Sequence, residues 1–134
     1  LRDKDHTYTW YNTDTTNNGG DAGIANGGTC SGGTGCDTEK YVADVNTAGL
    51  CGFTNWRMPT QEELQGIADL GRINPAIDST YFPTLGNPNG YYEHWSSSAF
   101  ADATYYAWLV SFYYGFDGGY GKSDGLAVRL VRSQ

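Results

Sequence analysis

Three cysteines, two histidines and a few paired acids are the residues of this chain equipped to act as nucleophiles, proton carriers or metal ligands. Cys30 and Cys36 bracket a glycine-rich ring, Cys30-Ser31-Gly32-Gly33-Thr34-Gly35-Cys36, and Cys51 follows alone. The spacing fits no zinc pattern, and His6 and His94 are distant in sequence, so no metal site is expected. A catalytic thiol has no better support. One disulfide plus one buried thiol is the simpler reading. If the stretch from Asp37 to Thr47 is helical, Cys36 and Cys51 sit at its opposite ends. At about 1.5 Å rise per residue, those ends are too far apart for a bridge. Cys30 is then the shared partner, with Cys36 ahead of Cys51 as its mate. The acids Glu62, Glu63, Asp117 and Asp124 are accounted for by helix capping and solvation. No Ser-His-Asp spacing or phosphate loop stands out, so no catalytic residue and no cofactor are expected.

Recognition is the other chemistry these residue types support. The chain holds 11 tyrosines and 19 glycines. Tyrosine offers a large rigid contact area with a hydrogen-bonding tip at low entropic cost. The candidate contact residues are Tyr91, Tyr92, His94, Tyr105, Tyr113, Tyr114, Phe116 and Tyr120, with Ser123 and Asp124 completing a loop surface over 113–127. Tyr113, Tyr114, Phe116 and Tyr120 alternate with glycines and follow no burying periodicity, which favours exposure. Tyr81 and Tyr106 flank apolar motifs and are expected in the core.

Composition narrows the partners. A length of 134 residues suits one domain, here 1–134, with one core. Mean hydropathy is -0.53, and no apolar run approaches the about 20 residues of a membrane span. No apolar segment follows Leu1-Arg2-Asp3-Lys4-Asp5, so the chain reads as mature, processed or truncated. Net charge is -7, with scattered basic residues. Nucleic acid, anionic lipid and sulfated polysaccharide reward clustered Lys and Arg and are not expected as main partners. Only 17% of residues are charged, against about 25% in average soluble proteins. A surface of Asn, Thr, Ser, Gly and Tyr points to the cell exterior.

The elements that must position these residues follow from local pattern. Residues 7–11 alternate and read as a short strand. Residues 12–36 form a long loop, which must be tied down or functional. A first helix spans 37–48, capped by Asp37 or Thr38, with Tyr41, Val45 and Ala48 on one face and Gly49 ending it. A second spans 60–70, opened by a Thr60–Glu63 capping box, with Leu64, Ile67 and Ala68 as its stripe and Gly71 as its stop. Residues 76–93 are irregular. Strands follow at 94–98, 105–113 and 126–131. The expected core is Trp56, Leu64, Ile67, Trp95, Trp108, Val110, Phe112, Val128 and Leu130, with Trp56 beneath the second helix. This is an α+β pattern, two helices packed on short antiparallel strands with long loops.

Several ordered motifs carry a family resemblance: Gly52-Phe53-Thr54-Asn55-Trp56-Arg57-Met58-Pro59-Thr60 with Glu62-Glu63-Leu64, then Tyr81-Phe82-Pro83, His94-Trp95-Ser96-Ser97-Ser98, Ala107-Trp108-Leu109-Val110-Ser111-Phe112, Gly115, Lys122 and Val128-Arg129-Leu130-Val131-Arg132. Together they resemble the bacterial family named for the C-terminal domain of the collagen-like adhesin Lcl. The resemblance implies a C-type-lectin-like fold on secreted, anchored or adhesive proteins, binding a protein or glycan outside the cell, with homo-oligomers or a larger surface protein as settings. A structural subunit of a fibre or array is the alternative. A formylglycine-generating type of enzyme, a distant fold relative, needs a reactive cysteine pair in its C-terminal half, and no cysteine follows Cys51.

Some relatives are rewritten by diversity-generating retroelements, which mutate adenines in Asn codons. Between Tyr113 and Ala127, every residue except Lys122 is reachable that way. The family's usual opening strand with Thr-Gly-Leu-x-Trp is missing, so residues 126–131 are expected to lack a neighbour. Calcium-dependent sugar binding is not implied. Asn87-Pro88-Asn89 only partly echoes the lectin motif, and the carboxylates calcium prefers are absent around it.

Overall fold

The computed structural model describes residues 3–83 and 92–134. In chain order it contains α1 (Thr38–Thr47), a single 3-10 turn (Leu50–Gly52), β1 (Trp56–Arg57), α2 (Gln61–Gln65), β2 (Glu93–Ala99), β3 (Tyr106–Ser111), β4 (Phe116–Gly121) and β5 (Val131–Arg132). Helices and antiparallel strands mix in one α+β arrangement.

Both helices start where their capping residues dictate. The Asp37 carboxylate accepts the Lys40 N–H at 2.8 Å and opens α1. Tyr41 and Val45 are buried beneath α1, whereas Ala48 is exposed at the C-cap. At α2, Thr60 and Glu63 form the reciprocal capping box. This helix ends at Gln65, well short of the expected residue 70. Glycine at position 66 is a poor helix former. Beyond it the chain turns back, so the Asp69 N–H bonds to the Ala76 carbonyl (2.9 Å) instead of a helical one. Leu64 is therefore fully buried, while Ile67 and Ala68 are half-buried.

The principal sheet is antiparallel, in the order β2-β3-β4. β3 runs through its middle, in register from Tyr106↔Gly121 to Ser111↔Phe116 on one side, and paired with β2 from Glu93↔Ser111 to Ala99↔Ala107 on the other, with a register shift between Trp95 and Ala99. A second small sheet pairs β1 with β5. The segment at 7–11 forms isolated bridges to Thr29, Leu126, Asp37 and Gly23. Contrary to the expectation from the missing opening strand, residue 126 has a neighbour. Tyr8 and Leu126 exchange both backbone hydrogen bonds, at 2.8 and 3.1 Å, and Ala127 bridges His94.

Alternation along β3 feeds two cores. Ala107 and Leu109 pack with Trp10, Trp95 and Leu126. Val110 packs on the opposite side with Phe112, Leu64 and Ile77. A third cluster joins Tyr8 to Tyr41 and Val45 of α1. Trp10 and Trp95 are both almost fully buried, and their indole N–H groups donate to the Ser96 carbonyl (2.9 Å) and the Tyr8 carbonyl (2.8 Å). Two expected tryptophans sit elsewhere. Trp56 packs with the Tyr8–Tyr41–Val45 cluster, not beneath α2, and donates to the Leu50 carbonyl. Trp108 is half-buried against Phe100, with ring centroids 4.7 Å apart. Val128 and Leu130 are likewise peripheral. Tyr81 and Tyr106, expected inside, lie on the surface at 79% and 36% exposure. Cys30 and Cys36 form the disulfide, with Cα atoms 5.6 Å apart. Cys51 is a free thiol, exposed rather than buried, because it sits on the turn between α1 and β1.

Candidate functional site

The stretch expected as a loop over 113–127 is mostly a hairpin. β4 occupies residues 116–121, pairs along its whole length with β3, and forms the outer strand of the sheet. Six residues of strand extend about 17 Å, which sets the length of the platform. Phe116 and Tyr120 on it are 52% and 46% exposed, and Tyr114, in the turn before it, is 50% exposed.

The rings of this hairpin fall into two groups. At the turn, Tyr92, Tyr113, Tyr114 and Phe116 form a chain of neighbours with centroid spacings of 6.3, 4.5 and 6.0 Å. At the other end, Tyr105 meets Tyr106 edge-on at 4.8 Å, and Phe100 stands against Tyr106 and Trp108. Register places Phe116, Gly118 and Tyr120 on one face of β4 and Asp117 and Gly119 on the other. The two central glycines differ. A Cβ at Gly119 would lie 2.6 Å from the Phe100 ring, so glycine there makes room for packing. A Cβ at Gly118 would meet nothing within 4 Å. Glycine at 118 therefore leaves a bare stretch of backbone between two exposed rings. Beyond β4, Ser123 and Asp124 are exposed in a turn closed by the Asp124 N–H on the Gly121 carbonyl.

One other predicted contact residue does not join this surface. His94 is 1% exposed, stands edge-on to Phe112 at 5.2 Å, and donates from Nδ1 to the Tyr92 carbonyl at 2.8 Å. Its position on β2 points it into the core, so it is no ligand contact. Tyr91 and the Asn87-Pro88-Asn89 motif lie outside the described residues.

Lys122, directly after β4, is 2% exposed. Its ammonium donates to the carbonyls of Asn18 (2.9 Å), Asp21 (2.6 Å) and Thr104 (2.6 Å). It also lies 4.4 Å from the centroid of the Trp10 ring. Burial lowers its pKa, and nearby Asp21 opposes that shift. The three hydrogens of an ammonium are thus all used to bind the long loop to the sheet. Between that loop, the start of α1 and the Arg57–Thr60 stretch opens a cleft of about 1010 Å³, floored in part by Met58 and Ser97.

The motifs along this framework match the family model of the Lcl C-terminal domain over residues 1–132. The chain belongs to that family. No curated protein and no solved structure matches the chain.

In this Lcl C-terminal domain the acids serve local structure. Glu63 binds Arg57 through two 2.7 Å bonds and accepts the Thr60 N–H. Chiefly through Arg57, its pKa falls from the ordinary 4.5 to about 2. Asp117 accepts a hydrogen bond from Gln61 of α2, and Asp37 caps α1. Among the described residues no group of three or more His, Cys, Asp or Glu is placed to hold a metal ion. No helix among them is long and apolar enough to cross a membrane. Sequence reasoning did not find the Lys122 clamp or the cleft. The available signal was a lysine bracketed by Gly121 and the Ser123-Asp124 turn, immediately after an aromatic strand.

Proposed function

We propose that this domain is an extracellular recognition module that grips a protein or glycan partner with the exposed rings along the β4 edge of the β3–β4 hairpin. The observation that carries the reading is the set of exposed rings at Phe116 and Tyr120, held on a paired strand around open backbone at Gly118, with exposed Tyr114 in the turn before them. Rings that pack no core contribute little to folding, yet they are the residue types that dominate interface energy. Surface patches of this kind on a rigid frame mark interaction sites. The disulfide supports placement outside the cell. Tyr8–Leu126 pairing, two helices and a three-stranded antiparallel sheet support a C-type-lectin-like fold. With Glu63, Asp37 and His94 committed to structure, a binding role is favoured over a catalytic one.

The test is a pair of variants, Tyr114→Ala and Tyr120→Ala, melted and then assayed for adhesion to cells or matrix that the wild-type domain binds. Stability should stay within about 0.5 kcal/mol of wild type, while binding is lost or strongly weakened. Unfolding, or normal binding by both variants, would overturn the assignment. One observation favours assembly as a second reading: β4 is the outer strand of its sheet, and such an edge can pair with another chain. Light scattering separates the two, since a stable monomer supports ligand binding and a polymer supports a fibre or array subunit.

A further inference from the structure

The cleft between the long loop and α1 is separate from the hairpin rings, and its chemistry is different. One wall is the loop around Asn12, Asp14 and Asn17. That wall is built before any ligand arrives. Asn12 Oδ1 accepts the Asp14 N–H at 2.9 Å, and the Asp14 carboxylate accepts from Thr16 and from the Asn17 amide. Thr13 reaches across to Glu39 of α1, its N–H 2.7 Å from Oε2. Behind it, Lys122 holds the carbonyls of Asn18 and Asp21. A wall fixed in this way loses little entropy when a ligand binds.

The lining divides into apolar and polar parts. Val42, Met58 and Tyr11 are half-buried and give an apolar surface. Around it, several polar groups carry no hydrogen bond among the described residues: the Asn12 amide nitrogen, the Asn17 amide oxygen, the Ser97 hydroxyl and the Tyr11 hydroxyl. These unspent groups are neutral and include both donors and acceptors. The charged lining residues are Asp14, Glu39 and Arg57, and Arg57 is already held by Glu63. Sulfate, phosphate or carboxylate would meet two carboxylates and a guanidinium whose charge is already matched. The volume of about 1010 Å³ reaches the top of the about 300–1,000 Å³ range of small-molecule sites, so more than one sugar ring fits.

We infer that this cleft is a second binding site, for a neutral oligosaccharide, with the C–H face of a sugar ring on Met58 and Val42 and its hydroxyls on Asn12, Asn17 and Ser97. A sugar hydroxyl both donates and accepts, as the unspent groups require. The site does not depend on the hairpin surface being a binding site.

Met58 is the single methionine of the chain, which gives an assignment-free probe. The folded domain is labelled with 13C-methyl methionine and titrated by NMR with neutral trisaccharides of glucose, mannose, galactose and N-acetylglucosamine. Sulfated heparin tetrasaccharide is titrated in parallel. At least one neutral trisaccharide should shift the Met58 methyl saturably within the millimolar range, and the sulfated one should not. Asn17→Ala and Ser97→Ala should each weaken that binding about fivefold, the worth of one net hydrogen bond, with unchanged melting. Val42→Trp, which fills the cleft, should abolish it. Tyr114→Ala and Tyr120→Ala should leave it intact. The inference is overturned by absence of a saturable shift with every neutral sugar. It is equally overturned by a preference for the sulfated oligosaccharide, by insensitivity to the cleft variants, or by loss in the hairpin variants.

Discussion

The loop at 12–28 and the β3–β4 hairpin achieve order by opposite means. The loop contains no helix or ladder, yet it is fixed by polar contacts. Asn18 is 4% exposed, the Thr9 hydroxyl donates to the Ile24 carbonyl at 2.6 Å, and Asn26 bonds to both Cys36 and Asp37. The hairpin is regular, and the large rings of its β4 strand, Phe116 and Tyr120, are exposed. Small polar residues therefore bear the structure in one region, while large aromatic ones are structurally spare in the other. In these two regions, size and hydrophobicity do not mark the residues that hold the fold, although they do in the cores around Trp10, Trp95 and Phe112.

The sharpest way to break that comparison is at Lys122, where the two regions meet. Lys122→Met should leave the Asn18, Asp21 and Thr104 carbonyls without their shared donor, at a cost of about 3–5 kcal/mol. Thermal melting gives the loss, and hydrogen exchange should show the loop opening before the hairpin. If the hairpin opens first, the clamp does not hold the loop. Opening the Cys30–Cys36 ring by Cys36→Ser should cost roughly 2 kcal/mol, because the closed loop is short. Chemical denaturation of the two forms measures it.

Within the hairpin, Gly119→Ala must displace the Phe100 ring and should cost about 1–2 kcal/mol. Gly118→Ala should be nearly neutral for stability and should weaken partner binding. Equal stability losses would erase the distinction between a packing glycine and an open one.

The smallest effect is acid-dependent. Glu63 is partly exposed, so its link to Arg57 contributes under about 1 kcal/mol. Its folded pKa is depressed, so that contribution is complete above about pH 4.5 and disappears as pH falls toward about 2. Glu63→Gln should flatten that part of the stability profile.

Features set by neighbours in sequence were legible in advance. Asp37 and the Thr60–Glu63 box mark both helix starts, because a cap is satisfied within one turn. The Cys30–Cys36 bridge was legible for a similar reason. The early end of α2 was not, since it depends on a carbonyl at Ala76 brought back by a later turn. Lys122 reaches partners 104, 101 and 18 residues away, and nothing local announces them. His94 was expected as a contact residue, but it is buried, edge-on to Phe112. Tyr106 was expected inside from the motif it borders, yet it opens β3 and is 36% exposed, although it shares a face with buried Val110. Lys122 is the single position between Tyr113 and Ala127 outside the reach of adenine mutation of Asn codons, and it is the clamp.

The outer strand also bears on how the protein behaves when crowded. An open strand edge beside exposed rings is a common seed of aggregation. Three of the six residues of β4 are glycine and a fourth is Asp117. Glycine surrenders much entropy on entering a ladder, and a carboxylate resists stacking on its own copy. The strand therefore makes a poor template for long amyloid-like growth, even where its edge pairs with a single partner.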